Sequence, residues 1–183
     1  MGVNPAAHRA VYRKVNGGAG PVEAFEETFT RMFPRAFRLA RRILGDSAAA
    51  EDVAAEALAR AYAQWPKVES LPYRDGWVLR VTTNLAIDRL RRHRPDQPVP
   101  AELLAEDALV LRLALTAALR SLPRRQRQAV ALRYLGEMSE SEVAQALDVS
   151  VGTVKTHTHR GLAALRTRLG PEMAEVIPVA VDG

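Results

Sequence analysis

Apolar positions in this chain recur at helical spacing almost throughout, and no run alternates convincingly in the manner of a strand. Phe25, Phe29, Phe33 and Phe37 repeat every four residues beside a stripe of Met32, Leu39, Ala40 and Ile43. The pattern predicts an amphipathic helix whose aromatics belong to a core. Pro34 lies within it and is expected to kink or split it, because proline removes a backbone donor and crowds the preceding turn. Gly45-Asp46-Ser47 reads as a stop and a fresh N-cap, opening a second helix through Trp65. Pro66 and Pro72 bracket a loop, and a third helix is predicted from about Arg74 to Arg92.

Three prolines (Pro95, Pro98 and Pro100) crowd the acidic stretch that follows, which marks a linker. Beyond it an apolar helix runs from about Asp107 to Leu119, and Ser121-Leu122-Pro123 starts another leading to Leu135. Ser139-Glu140-Ser141-Glu142 matches a capping box ahead of Val143, Ala144 and Leu147. Asp148-Val149-Ser150 is a turn, with Ser150 placed to cap a last helix reaching Leu169. The expected fold is all-α: two small helical domains, residues 21–94 and 107–170, joined by a short flexible linker over 95–106. Residues 1–20 are expected to form a disordered or partner-binding arm, and 171–183 a tail.

Composition narrows the function. The 183 residues hold no cysteine, which removes disulfide frameworks, cysteine zinc sites and thiol nucleophiles. No apolar run approaches the roughly eighteen residues of a membrane span, and the N-terminus lacks a secretory apolar core, so the expectation is a cytoplasmic protein without membrane insertion. The net charge of +5 is uneven: residues 107–170 carry 10 basic and 5 acidic side chains, while 95–106 and the tail are acidic. Clusters at Arg89-Leu90-Arg91-Arg92-His93-Arg94 and Arg124-Arg125-Gln126-Arg127 can each track a phosphate backbone, or can simply be a solvated basic surface. No carboxylate–histidine cluster or glycine-rich phosphate loop argues for an enzyme, and no cofactor is implied.

Residues 139–165 have the layout of a helix-turn-helix: a short capped helix, a tight turn and a longer helix. In the longer helix Val154, Leu162, Leu165 and Leu169 can face inward, while Lys155, Thr156, His157, Thr158, His159 and Arg160 mostly face out. A helix entering the major groove needs such polar and cationic first turns, although an ordinary helical hairpin with a polar face has the same pattern. His157 and His159, two apart on a helix, point to different sides and make no metal pair. In the third helix Arg80, Asn84, Ile87 and Arg91 share a mostly polar face opposite Trp77, Val81 and Leu85. Asp52 and Glu56, one turn apart, form an acidic strip suited to a basic partner, to dipole compensation, or to both.

These stretches resemble the extracytoplasmic-function (ECF) sigma factors of RNA polymerase. Residues 122–134 (LPRRQRQAVALRY), 139–147 (SESEVAQAL) and 150–156 (SVGTVKT) resemble sigma region 4. Residues 39–46 (LARRILGD), 50–58 (AEDVAAEAL), 75–81 (DGWVLRV) and 84–92 (NLAIDRLRR) resemble the successive parts of region 2. The last helix also resembles LuxR-type regulators, which remain the alternative reading, but those lack the first half. The resemblance implies promoter DNA and core RNA polymerase as partners, the latter through its beta-prime clamp helices and beta flap, with an anti-sigma factor as a further possible partner. It implies minus-10 contacts from Arg80, Asn84, Asp88, Arg91 and Arg92, and minus-35 contacts from Thr153, Lys155, Thr156, His157, His159 and Arg160. Asp52 and Glu56 fall to polymerase docking. Two departures matter: Thr156-His157 stands where the family usually has Ser-Arg, and Ala55 where it often has Gln, so neither base preference nor every docking contact carries across.

Overall fold

Burial on one side of the first helix draws the first half together. Met32, Ala36, Leu39, Ala40 and Ile43 on α1 (Pro21–Leu44) are buried against Val53, Ala54, Ala57 and Leu58 of α2 (Ser47–Ala63). The computed structural model describes residues 21–92 and 106–170; the expected N-terminal arm, the C-terminal tail and nearly all of the linker lie outside them. Asp46 caps α2, its carboxylate accepting from the Ala49 amide at 2.6 Å. The adjoining aliphatic stripe, rather than the phenylalanines, is the centre of the buried face. Phe25, Phe33 and Phe37 flank it, and Phe29 is exposed, with its ring against those of Phe25 and Phe33. Pro34 does not split α1, which continues as one helix. A proline inside a helix costs about 3 kcal/mol, and burial of several side chains on either side of it outweighs that.

Where a loop was expected, Trp65–Glu69 forms a short helix, α3, with Pro66 in its first turn where no amide donor is needed. Trp65 meets Phe25 edge-on with ring centroids 5.2 Å apart. The third long helix, α4 (Arg74–Arg92), packs against both α1 and α2, and Trp77 lies half-buried against their core.

The second half comprises α5 (Glu106–Ser121), α6 (Arg124–Val130), α7 (Glu140–Leu147) and α8 (Val151–Leu169). Pro123 is the residue before α6, which runs on into a wider π turn at Ala131–Leu135, closed by Gly136 N–H donating to Ala131 O at 2.9 Å. Among the described residues there is no strand. The capping box forms as expected. The Ser139 hydroxyl accepts from the Glu142 amide at 3.3 Å, and the Glu142 carboxylate accepts from the Ser139 amide at 2.7 Å. Asp148 ends α7 in the left-handed conformation (φ 55°), which its short side chain tolerates.

The two halves are not merely tethered. α7 packs on α4, and Ala129, Leu132, Met138, Val143, Ala144, Ala146, Leu147 and Val154 share one continuous core with the first half. A second, smaller core of Ala118, Leu119, Leu122, Val130, Leu162 and Leu165 holds α5, α6 and α8 together.

Candidate nucleic-acid interface

The last helix is positioned from both ends of the turn that precedes it. Ser150 has extended backbone geometry, and its hydroxyl accepts from the Thr153 amide at 3.1 Å, satisfying one of the donors a helix start leaves open. Val154, Leu162 and Leu165 are buried, which fixes the rotation of α8 and turns Lys155, Thr156, His159 and Arg160 to solvent. Thr153 and His157 are half-buried, with His157 Nδ1 turned away from solvent, and Thr158 is buried. The outward face is therefore narrower than the sequence suggested, because 3.6 residues per turn carry positions 154, 158 and 161–162 onto the core side. Lys155 lies 3.9 Å from Glu140 across the turn, in a solvent-exposed pair. His157 and His159 diverge, and among the described residues no cluster of three or more potential ligands could hold a metal ion.

The polar face of α4 has a different setting. Arg92 is exposed, but Arg80, Asn84 and Asp88 are half-buried and Ile87 is buried; the side chain of Arg91 lies outside the described ones. Asn84 Oδ1 accepts from Gln128 Nε2 of α6 at 2.8 Å. Burial holds the Arg80 guanidinium below its ordinary pKa, reinforced by the neighbouring cations Arg125 and Arg124 and opposed by Asp148. This face of α4 meets the second half of the same chain.

Asp52 and Glu56 lie exposed on α2. Each has a cationic neighbour: Arg89 of α4 is 3.0 Å from Asp52, and Arg60 pairs with Glu56 one turn on. Several residues that join the halves were not singled out from sequence. The Tyr73 hydroxyl donates to Glu142 Oε1 at 2.9 Å, and Arg42 donates to the Leu135 carbonyl at 2.7 Å while pairing with Glu137. These partners are tens of residues apart, and only the Arg41-Arg42 pair carried a local charge signal.

Comparison with known proteins places both halves. Residues 28–95 match the family "Sigma-70 region 2" and residues 112–165 match "Sigma-70, region 4". The chain is 34% identical over 170 residues to the ECF RNA polymerase sigma factor SigW of Bacillus subtilis, covering 82% of this chain and 91% of that protein. It is 36% identical over 157 residues to the RNA polymerase sigma-E factor of Streptomyces coelicolor, covering 82% and 88%. Among solved structures it resembles CnrH in complex with the cytosolic domain of CnrY, with a TM-score of 0.58 at 22% identity over 89% of this chain and 97% of that one. The sigma factor RpoE of Bartonella quintana, crystallised with the anti-sigma factor NepR, gives 0.51 at 19% identity over 80% and 96%.

Proposed function

Because this chain belongs to the ECF sigma factors, which bind core RNA polymerase and direct it to promoters, we propose that separate surfaces divide that work. The outward first turns of α8, with Lys155, Thr156, His159 and Arg160 and the half-buried Thr153 and His157, read the minus-35 element in the major groove. The α4 face, with Arg80, Asn84, Asp88, Arg91 and Arg92, contacts the minus-10 element on the non-template strand. An unstacked base needs a polar partner for its edge, and the Asn84 amide offers both donor and acceptor. Asp52 and Glu56 dock on the basic beta-prime clamp helices, and residues 107–170 engage the beta flap. An anti-sigma factor is a further proposed partner, and the site of action is the cytoplasm. Phosphodiester chemistry belongs to the polymerase.

The observation that carries the reading is the capped α8, whose buried Val154, Leu162 and Leu165 fix a polar, cationic face outward, in a chain that also has the region 2 half. A LuxR-type regulator has no use for that first half. The test is reconstituted transcription. Promoter-specific RNA should require both this chain and core polymerase, and Asp52→Lys with Glu56→Lys should abolish co-purification with core. Exposed pairs such as Asp52–Arg89 are worth about 0–1 kcal/mol and can be exchanged for the partner's cations, whereas a desolvated interfacial pair is worth roughly 1.5–7 kcal/mol. Undiminished core binding by the double variant refutes the docking assignment.

A further inference from the structure

Arg80 is a half-buried cation without a counter-ion in contact. Among the described residues its guanidinium makes no hydrogen bond and no ion pair. The amides one turn along α4 and across on α6 do not serve it. Asn84 Oδ1 accepts from Gln128 at 2.8 Å, and Gln128 Oε1 is buried with no partner among the described residues. Beyond its burial, Arg80 is acted on by Arg125 and Arg124 and, with opposite sign, by Asp148. Arg125 is anchored, its Nη1 donating to the Leu147 carbonyl at 3.1 Å, and its remaining donors are uncommitted. Arg124 is exposed and bonds to nothing described. Three guanidiniums and one carboxylate give this cluster a net charge of 3 − 1 = +2. Desolvating a cation is costly unless it is paired, so the cluster is complete only with an anion.

We propose that Arg80, Arg124 and Arg125 form a site for a small, free, multiply charged phosphate anion. A dianion neutralises the cluster, whereas a single carboxylate leaves it charged. Each guanidinium presents a planar fork of donors that matches phosphate oxygens, and three forks offer more donors than one carboxylate can accept. Arg124 and Arg125 are exposed, so the anion has access from solvent. The contact with half-buried Arg80 is the least screened of the three and contributes most. Arg80 comes from α4 and the other two from α6, so a bound anion ties the two helices together and raises resistance to unfolding. The site stands whether or not Arg80 also meets promoter DNA.

Inorganic pyrophosphate is the probe, titrated by calorimetry into the full-length chain at an ionic strength held constant with chloride. One saturable site per chain is expected. Arg80→Gln, Arg124→Gln and Arg125→Gln should each weaken it about tenfold, the loss of one charge-assisted contact. Arg168→Gln removes the same charge from an exposed place in the last turn of α8 and should change affinity less than about twofold. Arg124→Gln breaks no bond within the described chain, so misfolding cannot account for its effect, and helical circular dichroism checks the other variants. Pyrophosphate should also raise the thermal midpoint of the parent chain and leave that of Arg80→Gln in place. Adenosine diphosphate, run in parallel, separates the sources: equal affinity assigns the site to the phosphate groups alone, and tighter binding assigns it to a nucleotide. Absence of saturable binding of either probe overturns the proposal. So does a loss in Arg168→Gln as large as that in Arg124→Gln, which marks diffuse attraction to a basic chain, or an unchanged affinity in Arg80→Gln, which leaves no site between the helices.

Discussion

Gly161 tests how closely the helices of the second half must approach. It is buried midway along α8, and a Cβ built there would lie 2.7 Å from Val130 Cγ2 and 3.5 Å from both Gln126 Cβ and the Gln126 carbonyl. Two opposing effects follow from Gly161→Ala. Inside a helix, alanine is better than glycine by about 1 kcal/mol. Against that, the new methyl overlaps a valine that is itself buried and held in one rotamer by its β-branch, so relief requires α6 and α8 to move apart. Such overpacking costs typically 1–3 kcal/mol, which leaves a net loss of about 1 kcal/mol. Gly161→Val adds two more methyls and recovers less helix propensity, so its loss should be at least about 2 kcal/mol. Urea unfolding followed by helical circular dichroism measures both. Trp65 and Trp77 are the two tryptophans and both lie in the first half, so their fluorescence reports separately whether it unfolds with the second. If Gly161→Ala instead raises stability by the amount helix propensity supplies, α6 and α8 do not meet as described.

Three further outcomes are expected. Leu132→Ala, at a fully buried position in the core the two halves share, should cost about 2–5 kcal/mol and shift the dichroism and fluorescence transitions together; a shift in dichroism alone would contradict a shared core. Hydrogen bonds from the Ser139 amide and hydroxyl hold the Glu142 carboxyl below its ordinary 4.5, with the Tyr73 bond adding to them, so its charged form is favoured by folding. The stability difference between the parent chain and Glu142→Gln should therefore be present above pH 4.5 and shrink as pH falls through the lowered value, and denaturation midpoints across that range check it. Lys155→Ala should weaken duplex binding about equally for all sequences and reduce the salt slope by about one, whereas His157→Ala should alter preference at a single minus-35 position by roughly 1–3 kcal/mol; affinities for single-base variants at two salt concentrations separate them.

What could be read along the chain was what depends on neighbours in sequence. Ser139 with Glu142, Asp46 before α2 and Ser150 before α8 are capping signals whose partners lie three residues away, so the helix starts were legible. The aliphatic stripe of α1 and the inward Val154, Leu162 and Leu165 of α8 followed from a period of 3.6, and the order of the motifs pointed to the family. Local reading failed where a distant surface decides. Pro34 predicted a break by its own chemistry, but the burial around it in α1 keeps the helix in one piece. Phe29 continues a four-residue repeat and yet is exposed, because the neighbouring face of α1 is the one that meets α2. Nothing local to Asn84 points to Gln128, 44 residues away, nor anything at Tyr73 to Glu142, 69 residues away. Sequence alone determined which side chains share a face of α4. Only the tertiary structure decided that this face is covered, because coverage is a property of two surfaces and the chain encodes them far apart.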